Sequence, residues 1–246
     1  MALTGIQIFK LLPKTNCGEC GVPTCLAFAM NLAAGKAELD ACPYVSDEAR
    51  EELAEASAPP IRSVAIGAGA TEVKPGGETV LFRHEKTFYN PCALACLLTP
   101  DQPDLDNQIG WFNAMKYERV GLILRPEMFC LQDTGDHAAF EKLVDKVVKE
   151  CDASLTLMSD DLPTLKKTAE KTKMFRPLLY AATKDNAEDM GKLALELGLP
   201  LTVKGNGLDE VIELTQKLTS MGLKDLVIDS GARELKQAFT DSVASR

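Results

Sequence analysis

From residue 92 to the end of the chain, short apolar runs alternate with longer amphipathic segments. Six such runs begin 22 to 36 positions apart, at 92–98, 128–131, 154–158, 178–181, 200–203 and 225–228. Short apolar runs bounded by polar residues are typical of strands that are buried on both faces. The pattern therefore predicts six strands, each followed by a helix.

The segments between these runs have the spacing of amphipathic helices. In segment 137–149 one face carries Phe140, Leu143, Val144 and Val147. In segment 208–218 the predicted apolar face consists of Leu208, Val211, Ile212 and Leu218. Apolar residues at three- and four-residue spacing indicate helices that cover a sheet.

Six consecutive βα units imply parallel strands joined by right-handed crossovers. No glycine-rich nucleotide loop marks the crevice of a doubly wound sheet, which favours a barrel. The predicted fold class is α/β, with a small N-terminal domain followed by a TIM (β/α)8 barrel. Since a closed barrel needs eight units and about 250 residues by itself, the barrel is expected to be incomplete in these 246 residues.

The first sixty residues are organised differently. Thr4 is predicted to cap a short helix that Pro13 ends, and Ser46 to cap an acidic helix. A helix between them, from 23 to about 36, is predicted to end near Gly35 and has at helical spacing Leu26, Met30 and Ala33. The sequence SAPP at 57–60 breaks the acidic helix and indicates a linker near 56–60.

Residues 64–69 and 79–82 are predicted to form a strand pair, with Lys-Pro-Gly-Gly at 74–77 as its turn. The glycines here do not match a phosphate-binding loop, because neither G-x-x-x-x-G-K-[ST] nor G-x-G-x-x-G is present. They are interpreted as turn residues.

Four of the eight cysteines lie within 26 residues, with the spacing Cys17-x2-Cys20-x4-Cys25-x16-Cys42. Gly18 and Gly21 allow a tight loop around one centre. Thiolates with this spacing are candidates for a [4Fe-4S] cluster, a zinc ion or two disulfides.

Disulfides are the least favoured of the three. The N-terminus, MALTGIQIFKLLPK, lacks the features of a secretory signal, so the chain is expected in a reducing cytoplasm. Structural zinc usually takes paired Cys-x2-Cys arms, whereas here one arm has four intervening residues and Cys42 stands alone before Pro43. The spacing favours a cluster and leaves zinc open.

The other cysteines, Cys92, Cys96, Cys130 and Cys151, lie in apolar segments and are predicted to be small buried residues. A net charge of -9 and the lack of a basic stripe argue against a nucleic-acid partner. No apolar run approaches the 18 or so residues of a membrane span.

Polar residues follow five of the predicted strands, at 132–133, 159–161, 183–186, 204–207 and 229–231. The carboxyl ends of barrel strands form the active face of TIM-barrel enzymes, but the same residue types cap helices. The two histidines, His84 and His137, do not stand in the Asp-x-His-x-x-Gly pattern of cobalt-ligating proteins. No catalytic residues are predicted.

Five segments resemble the large (gamma) subunit of the corrinoid iron-sulfur protein of the acetyl-CoA synthase/decarbonylase pathway: LLPKTNCGECGVPTCLAFAMNLAAGKAELDACPYVSDEAR, VAIGAGATEV, ETVLFRHEKTFYNP, PLLYAAT and GNGLDE. The cysteine loop alone is less specific, since similar CGECG-x-PTC loops occur in other electron-transfer subunits. The resemblance extends over essentially the whole chain.

The resemblance implies a methyl carrier and electron-transfer component rather than a self-contained catalyst. In that family a corrinoid takes a methyl group from methyltetrahydrofolate through a methyltransferase and delivers it to carbon monoxide dehydrogenase/acetyl-CoA synthase. A [4Fe-4S] cluster returns cobalt from Co(II) to Co(I). By the motif match, the implied cluster ligands are Cys17, Cys20, Cys25 and Cys42.

The implied domains are a [4Fe-4S] domain at 1–57, a linker and hairpin at 58–91, and six βα units of the barrel at 92–246. The corrinoid-binding domain is expected beyond Arg246. Implied partners are a small TIM-barrel subunit, the methyltransferase, the synthase and a ferredoxin-type reductant. Two other hypotheses are a pterin-binding methyltransferase barrel with an accessory cluster, and a zinc-stapled interaction module.

Overall fold

The computed structural model describes residues 4–33, 37, 39–46, 49–50, 53, 61–77, 90 and 92–245. The chain divides into two compact units, Met1–Pro59 and Pro60–Arg246. The predicted linker near 56–60, the helix stop at Gly35 and His84 lie outside the described residues.

The N-terminal unit begins with helix α1 (Gly5–Leu11). The Thr4 hydroxyl accepts the Gln7 N–H at 3.4 Å, and the Gln7 side chain accepts the Thr4 N–H at 2.9 Å. This capping box satisfies donors that the first helical turn leaves free. The helix ends before Pro13, and the predicted start and stop are confirmed.

Helix α2 (Cys25–Ala33) lies within the predicted helical segment. Its buried residues are Cys25, Phe28 and Ala29, whereas Leu26 is 45% and Met30 is 54% exposed. The helical spacing of Leu26, Met30 and Ala33 thus did not indicate the buried face. Because eight of the nine residues in CLAFAMNLA are apolar, their spacing does not single out one face.

A small core holds the N-terminal unit together, and it includes two of the four motif cysteines. Its buried members are Ile8, Leu12, Cys25, Phe28, Ala29, Cys42, Val45, Ala49 and Leu53. The Ser46 hydroxyl accepts the Ala49 N–H at 3.2 Å, which confirms the predicted cap. A single 3-10 turn, Leu39–Ala41, leads into Cys42.

The second unit is built on a parallel sheet. Its strands are β1 (Ala95–Leu98), β4 (Met128–Gln132), β5 (Ser154–Met158), β6 (Leu178–Ala182), β7 (Leu201–Lys204) and β8 (Leu226–Asp229). They pair in that order, and every pair is parallel. Each strand falls within or overlaps a predicted apolar run, so the six predicted strands are confirmed.

The sequential strand order is that of a TIM barrel and not that of a doubly wound sheet, where the order reverses. Within the described residues the sheet is open, since β1 and β8 do not pair with each other. The α/β fold class is thus confirmed, and the strand order agrees with the predicted barrel, which is not closed in the described part of the chain. The longest spacing between predicted runs, from 92 to 128, accommodates a separate antiparallel ribbon, β2 (Tyr117–Arg119) and β3 (Leu122–Leu124).

Helices alternate with the strands: α3 (Leu105–Ala114), α4 (His137–Glu150), α5 (Leu162–Thr172), α6 (Ala187–Leu197), α7 (Leu208–Ser220) and α8 (Leu235–Ala244). The first five contribute to the core with the sheet, whereas the large apolar side chains of α8 are exposed. The predicted face of α4 is buried in full. In α7 the buried residues are Val211, Leu214 and Leu218, and Ile212 is 52% exposed, so its assignment to the inner face is wrong. None of the helices in the described part of the chain is long and apolar enough to cross a bilayer.

Residues 61–77 form a hairpin whose turn differs from the predicted one. Ile66 and Val73 exchange backbone hydrogen bonds at 2.9 and 2.8 Å, and the Gly77 N–H donates to the Ile61 carbonyl at 2.8 Å. The chain therefore turns at 67–72, and the predicted turn at 74–77 is part of the returning arm. The predicted second strand at 79–82 lies outside the described residues.

This hairpin, called the basal hairpin here, covers the amino ends of the strands. Val64 and Ile66 pack against Met128 and Leu178, which begin β4 and β6. The Ser154 hydroxyl at the start of β5 lies within hydrogen-bonding distance of the Ile66 and Thr71 carbonyls. The hairpin thus closes the end of the sheet opposite to the carboxyl ends of the strands.

Arg176 fixes the basal hairpin to the sheet. Its guanidinium donates to the Ala65 carbonyl at 3.0 Å, to the Gly198 carbonyl at 2.8 Å and to the Asp225 carboxylate at 2.6 Å. Its own carbonyl accepts the Gly67 N–H at 2.9 Å. Charge-assisted bonds of this kind are stronger than neutral ones.

Replacing Leu157 by alanine is expected to lower the free energy of unfolding by about 3 kcal/mol. Leu157 lies in β5 with no exposed surface, and the helices around it cannot collapse fully into the cavity. Urea unfolding measures the loss. Leu122→Ala is the matched control, because Leu122 is 66% exposed and should change stability by less than about 0.5 kcal/mol. Equal losses of stability in Leu157→Ala and Leu122→Ala would contradict the burial of Leu157 in the core.

Candidate functional site

The loop between α1 and α2 carries the first two motif cysteines in a strained conformation. Lys14, Asn16, Gly18 and Gly21 have φ angles of 60°, 50°, 76° and 79°. The Gly21 N–H donates to the Gly18 carbonyl at 3.0 Å and closes a tight turn that includes Cys20. Left-handed residues at short intervals orient backbone N–H groups toward an anion, as in many iron-sulfur sites. Glycine is used at 18 and 21 for its conformation, since a Cβ there would meet nothing within 4 Å.

Asn16 holds Cys25 through two hydrogen bonds. The Cys25 N–H donates to the Asn16 side-chain oxygen at 2.8 Å, and the Asn16 N–H approaches the Cys25 sulfur at 3.4 Å. Cys25 is also the first residue of α2, and the positive end of a helix dipole favours a negatively charged ligand. The Cys25 sulfur is therefore placed where backbone donors stabilise negative charge.

Tyr44 connects the two ends of the motif. Its hydroxyl donates to the Glu19 carboxylate at 2.9 Å, which joins the 17–20 loop to the segment after Cys42. The pKa of Tyr44 is raised above its ordinary value by this hydrogen bond and the Glu19 charge, with smaller contributions from Cys17 and Cys42. Cys17 and Cys42 therefore both lie close enough to the Tyr44 hydroxyl to affect its pKa.

The four motif cysteines differ in exposure. Cys25 and Cys42 are buried in the N-terminal core, Cys20 is half-buried against it, and Cys17 is exposed. All four are free thiols. In the part of the chain that the structure describes, no group of three or more His, Cys, Asp or Glu side chains is arranged to hold a metal ion. The structure places all four cysteines in the N-terminal unit without bringing their sulfurs into a ligand set.

The donor set nevertheless fits an iron-sulfur cluster in number and chemistry. Four thiolates are the usual ligands of a [4Fe-4S] cluster. The N–H to sulfur contact at Cys25 and the apolar residues around Cys25 and Cys42 are features that tune such clusters.

The other four cysteines are more exposed than predicted. Cys92 is exposed, and Cys96, Cys130 and Cys151 are half-buried. Burial is still sufficient to raise the pKa of Cys130 to about 11. The prediction that these residues are buried is therefore wrong for Cys92 and holds only in part for Cys96, Cys130 and Cys151.

A second group of polar residues lies at the carboxyl ends of β4, β5 and β6. The Asp133 carboxylate accepts the Ser159 hydroxyl at 2.7 Å, the Gly135 N–H at 2.9 Å and a hydrogen bond with His137 Nδ1 at 2.7 Å. Burial alone would raise the pKa of Asp133, but these hydrogen bonds outweigh it and lower the pKa. Its side chain is only 3% exposed.

Asp229 organises the neighbouring strands. It accepts the Tyr180 hydroxyl at 2.7 Å and pairs with Arg233 at 2.9 Å. Burial, assisted by Asp229, raises the pKa of Tyr180 to about 12. The hydrogen bonds from Arg233 and Tyr180 overcome the effect of burial on Asp229 and lower its pKa to about 2. Some polar residues of this face do cap helices as expected, since Asp161 accepts the Thr164 N–H at 2.9 Å.

The His137 imidazole is expected to titrate above its ordinary pKa of about 6.5. The hydrogen bond to Asp133 favours the protonated ring and raises the pKa of His137. Because the folded pKa is raised, the stabilisation by this pair is complete below about pH 6.5 and is lost as pH rises through the folded value. NMR titration of the ring protons measures the midpoint, which should fall toward 6.5 in Asp133→Asn. An unchanged midpoint in that variant would contradict the pairing.

The sequence pattern missed Asn16 and the Tyr44–Glu19 contact, and it marked Asp133 and Asp229 as polar residues after strands without predicting their partners. Asn16 directly precedes Cys17, and Asn is among the few residues that tolerate positive φ, so its position was a usable signal. The contacts of Asp133 and Asp229 join different strands, and no local pattern predicts them.

Comparisons with known proteins agree with the division of the chain. A family model described as "CO dehydrogenase/acetyl-CoA synthase delta subunit" matches residues 63–246. A second model, described as "Putative Fe-S cluster", matches residues 12–44, which include all four motif cysteines.

Curated relatives have related names. The corrinoid/iron-sulfur protein large subunit of Moorella thermoacetica is 48% identical over 244 residues, which cover 98% of this chain and 55% of the relative. The acetyl-CoA decarbonylase/synthase complex subunit gamma of Methanothermobacter thermautotrophicus is 34% identical over 94% of this chain and 51% of its own length. The subunit of that name from Archaeoglobus fulgidus is 36% identical over 91% of this chain and 50% of its own length.

The chain spans about half the length of the curated relatives that it matches. The resemblance to the large subunit of the corrinoid iron-sulfur protein is confirmed over nearly all of the chain. Since the first family model covers most of the residues, the protein belongs to the CO dehydrogenase/acetyl-CoA synthase delta subunit family.

Proposed function

We propose that Cys17, Cys20, Cys25 and Cys42 hold a [4Fe-4S] cluster and that this chain is the electron-relay and scaffold portion of a corrinoid methyl carrier. The observation that carries the proposal is the coincidence of the four-cysteine loop, the small core beneath it and the matched segment 12–44. When bound, the cluster supplies one-electron transfer at low potential.

The residues around the thiols have distinct roles in this proposal. Asn16 orients Cys25 and directs a backbone N–H at its sulfur, and such N–H to sulfur contacts raise a cluster's reduction potential. Phe28 and Val45 are buried beside Cys25 and Cys42 and limit the access of water. The exposed Cys17 marks the side from which an electron donor or acceptor approaches.

The methyl-carrier role follows from the names of the relatives and the family. Under the proposal, electrons pass through the N-terminal unit to return a corrinoid cobalt from Co(II) to Co(I), and the (β/α) unit serves as scaffold. The proposed partners are a small TIM-barrel subunit, a methyltetrahydrofolate:corrinoid methyltransferase and carbon monoxide dehydrogenase/acetyl-CoA synthase, with a ferredoxin-type reductant. No residue of this chain is assigned to the corrinoid.

The relay is tested by electron transfer to an added corrinoid. The iron-loaded chain is reduced with dithionite, freed of excess reductant by gel filtration and mixed anaerobically with cob(II)inamide, which lacks the lower axial base. Absorbance of the Co(I) form should appear with the wild-type chain and be absent with Cys25→Ser. Equal formation of Co(I) by both proteins, or none by an iron-loaded and reduced wild-type chain, would contradict the relay.

A further inference from the structure

A small cavity of about 130 Å³ lies at the carboxyl ends of β4 to β7, in the second unit. Its polar lining includes Gln132, Asp133, Ser159, Tyr180, Thr183 and Lys204. This end of a parallel sheet is where α/β folds bind ligands. The basal hairpin covers the opposite end, so the cavity lies on the side that remains open.

Most of the polar groups in the cavity wall already have partners. Asp133 receives three hydrogen bonds, and a carboxylate has about four acceptor positions. The Ser159 proton is directed at Asp133 and the Tyr180 proton at Asp229. The Thr183 hydroxyl donates to Asn186 at 3.2 Å. These contacts fix the wall and use most of the acceptor positions of Asp133, Ser159 and Tyr180. The exposed Asp160 carboxylate and the Gln132 amide oxygen keep theirs.

Two half-buried side chains of the wall, Lys204 and Gln132, have no hydrogen-bond partner among the described residues. The Lys204 ammonium lies 5.8 Å from the centre of the Tyr180 ring, and it makes no hydrogen bond or ion pair with any residue in the described ranges. The Gln132 amide likewise has no hydrogen bond to a described residue. A half-buried ammonium and an amide in one cavity offer up to five N–H donors and one positive charge.

Acidic groups nearby do not reverse this preference. Asp160 is exposed at the rim of the cavity, where water screens its charge. The charge of Asp133 is matched by His137 when the imidazole is protonated, and that of Asp229 by Arg233. A cationic ligand would be repelled by the unpaired Lys204 ammonium and would find as acceptors the Gln132 oxygen, the last position on Asp133 and the exposed Asp160. An anion would instead fill the unused donors of Lys204 and Gln132.

We propose that this cavity binds a small carboxylate, with the Lys204 ammonium as its charge partner and the Gln132 amide as a second donor. Its volume is about four times the roughly 30 Å³ that a water molecule occupies in the liquid, which suits a ligand of about four to six heavy atoms. Tyr180, held by Asp229, forms the wall beneath the lysine. This site is independent of the cysteine loop and of the proposed relay.

In the test, the ¹⁵N-labelled 246-residue chain is titrated with sodium acetate, and sodium chloride keeps the ionic strength constant. Amide chemical shifts report the binding. Saturable shifts are expected at the amides of Gln132, Ser159 and Lys204. Lys204→Met should weaken binding at least tenfold. Lys184→Met is the matched control, because Lys184 is an exposed lysine after β6 that does not line the cavity, and it should leave binding unchanged.

A second variant, Gln132→Met, keeps the test valid if Lys204→Met does not fold, and it should weaken acetate binding several-fold. Shifts that do not saturate, or equal affinities in the wild type and both cavity variants, would overturn the proposal. Tighter binding of inorganic phosphate than of acetate would overturn the assignment to a carboxylate.

Discussion

Replacing Cys25 by serine is expected to reduce bound iron from about four atoms per chain to less than one after anaerobic reconstitution. Cys25 is the motif cysteine with the most defined surroundings, since it is buried, begins α2 and is held by two hydrogen bonds with Asn16. A serine oxygen is a much poorer ligand for iron than a thiolate. Iron and sulfide analysis and the visible absorbance of the reconstituted protein measure the loss.

The matched control is Cys92→Ser. Cys92 is an exposed cysteine of the second unit, outside the motif, and its replacement should leave iron content at the wild-type level. Retention of full iron by Cys25→Ser, or equal loss in both variants, would contradict the assignment of ligands. Circular dichroism of the two proteins before reconstitution separates loss of ligand from loss of fold.

Replacing Gly67 by alanine is expected to lower the free energy of unfolding by about 3 kcal/mol. Gly67 has a φ of 89°, where an alanine is strained, and its Cβ would collide with the Ser154 hydroxyl and approach the Thr71 carbonyl at 2.8 Å. The collision would displace Ser154 from the carbonyls of the basal hairpin. The amino ends of the strands would then lose their cover.

Gly69→Ala provides the control for backbone strain alone. Gly69 belongs to the same turn and has a φ of 62°, but a Cβ there would meet nothing within 4 Å. Its replacement by alanine should lower the free energy of unfolding by about 1 kcal/mol. Urea unfolding of the two variants compares them directly, and a cost at Gly69 equal to that at Gly67 would contradict the packing of the hairpin on Ser154.

The sequence predicted the sheet well because its central strands, β4 to β7, are mostly buried. The run 128–131 is apolar without interruption, and the polar residues that bound it mark the ends of the strand. Helix α4 was equally clear, since polar residues separate its apolar positions. Where a helix is apolar almost throughout, as in α2, spacing did not identify the buried face.

The basal hairpin shows the limit of turn signals. Lys-Pro-Gly-Gly at 74–77 has the composition of a turn, but the turn forms at 67–72, where Gly67 and Gly69 supply positive φ. What decides between the two is the contact of Ile66 and Val64 with Met128 and Leu178. These residues are more than 50 positions away, so their effect was not visible locally.

For the candidate site, cysteine spacing indicated the ligand set but not its surroundings. The motif and the flanking glycines were readable because iron-sulfur loops need thiolates and positive φ at short intervals. Tyr44 and Glu19 are separated by 25 residues and meet only after the loop folds back. The cavity with Lys204 depends on four strands at once, and each of its residues alone fits the pattern of a loop or a helix cap.

The central claim is that the four motif cysteines hold a low-potential [4Fe-4S] cluster. Its most direct test is electron paramagnetic resonance of the wild-type chain after anaerobic reconstitution and dithionite reduction, with metal analysis of the same sample. The account predicts about four iron atoms per chain and the signal of one reduced four-iron cluster. Absence of that signal, or zinc in place of iron in the metal analysis, would contradict it.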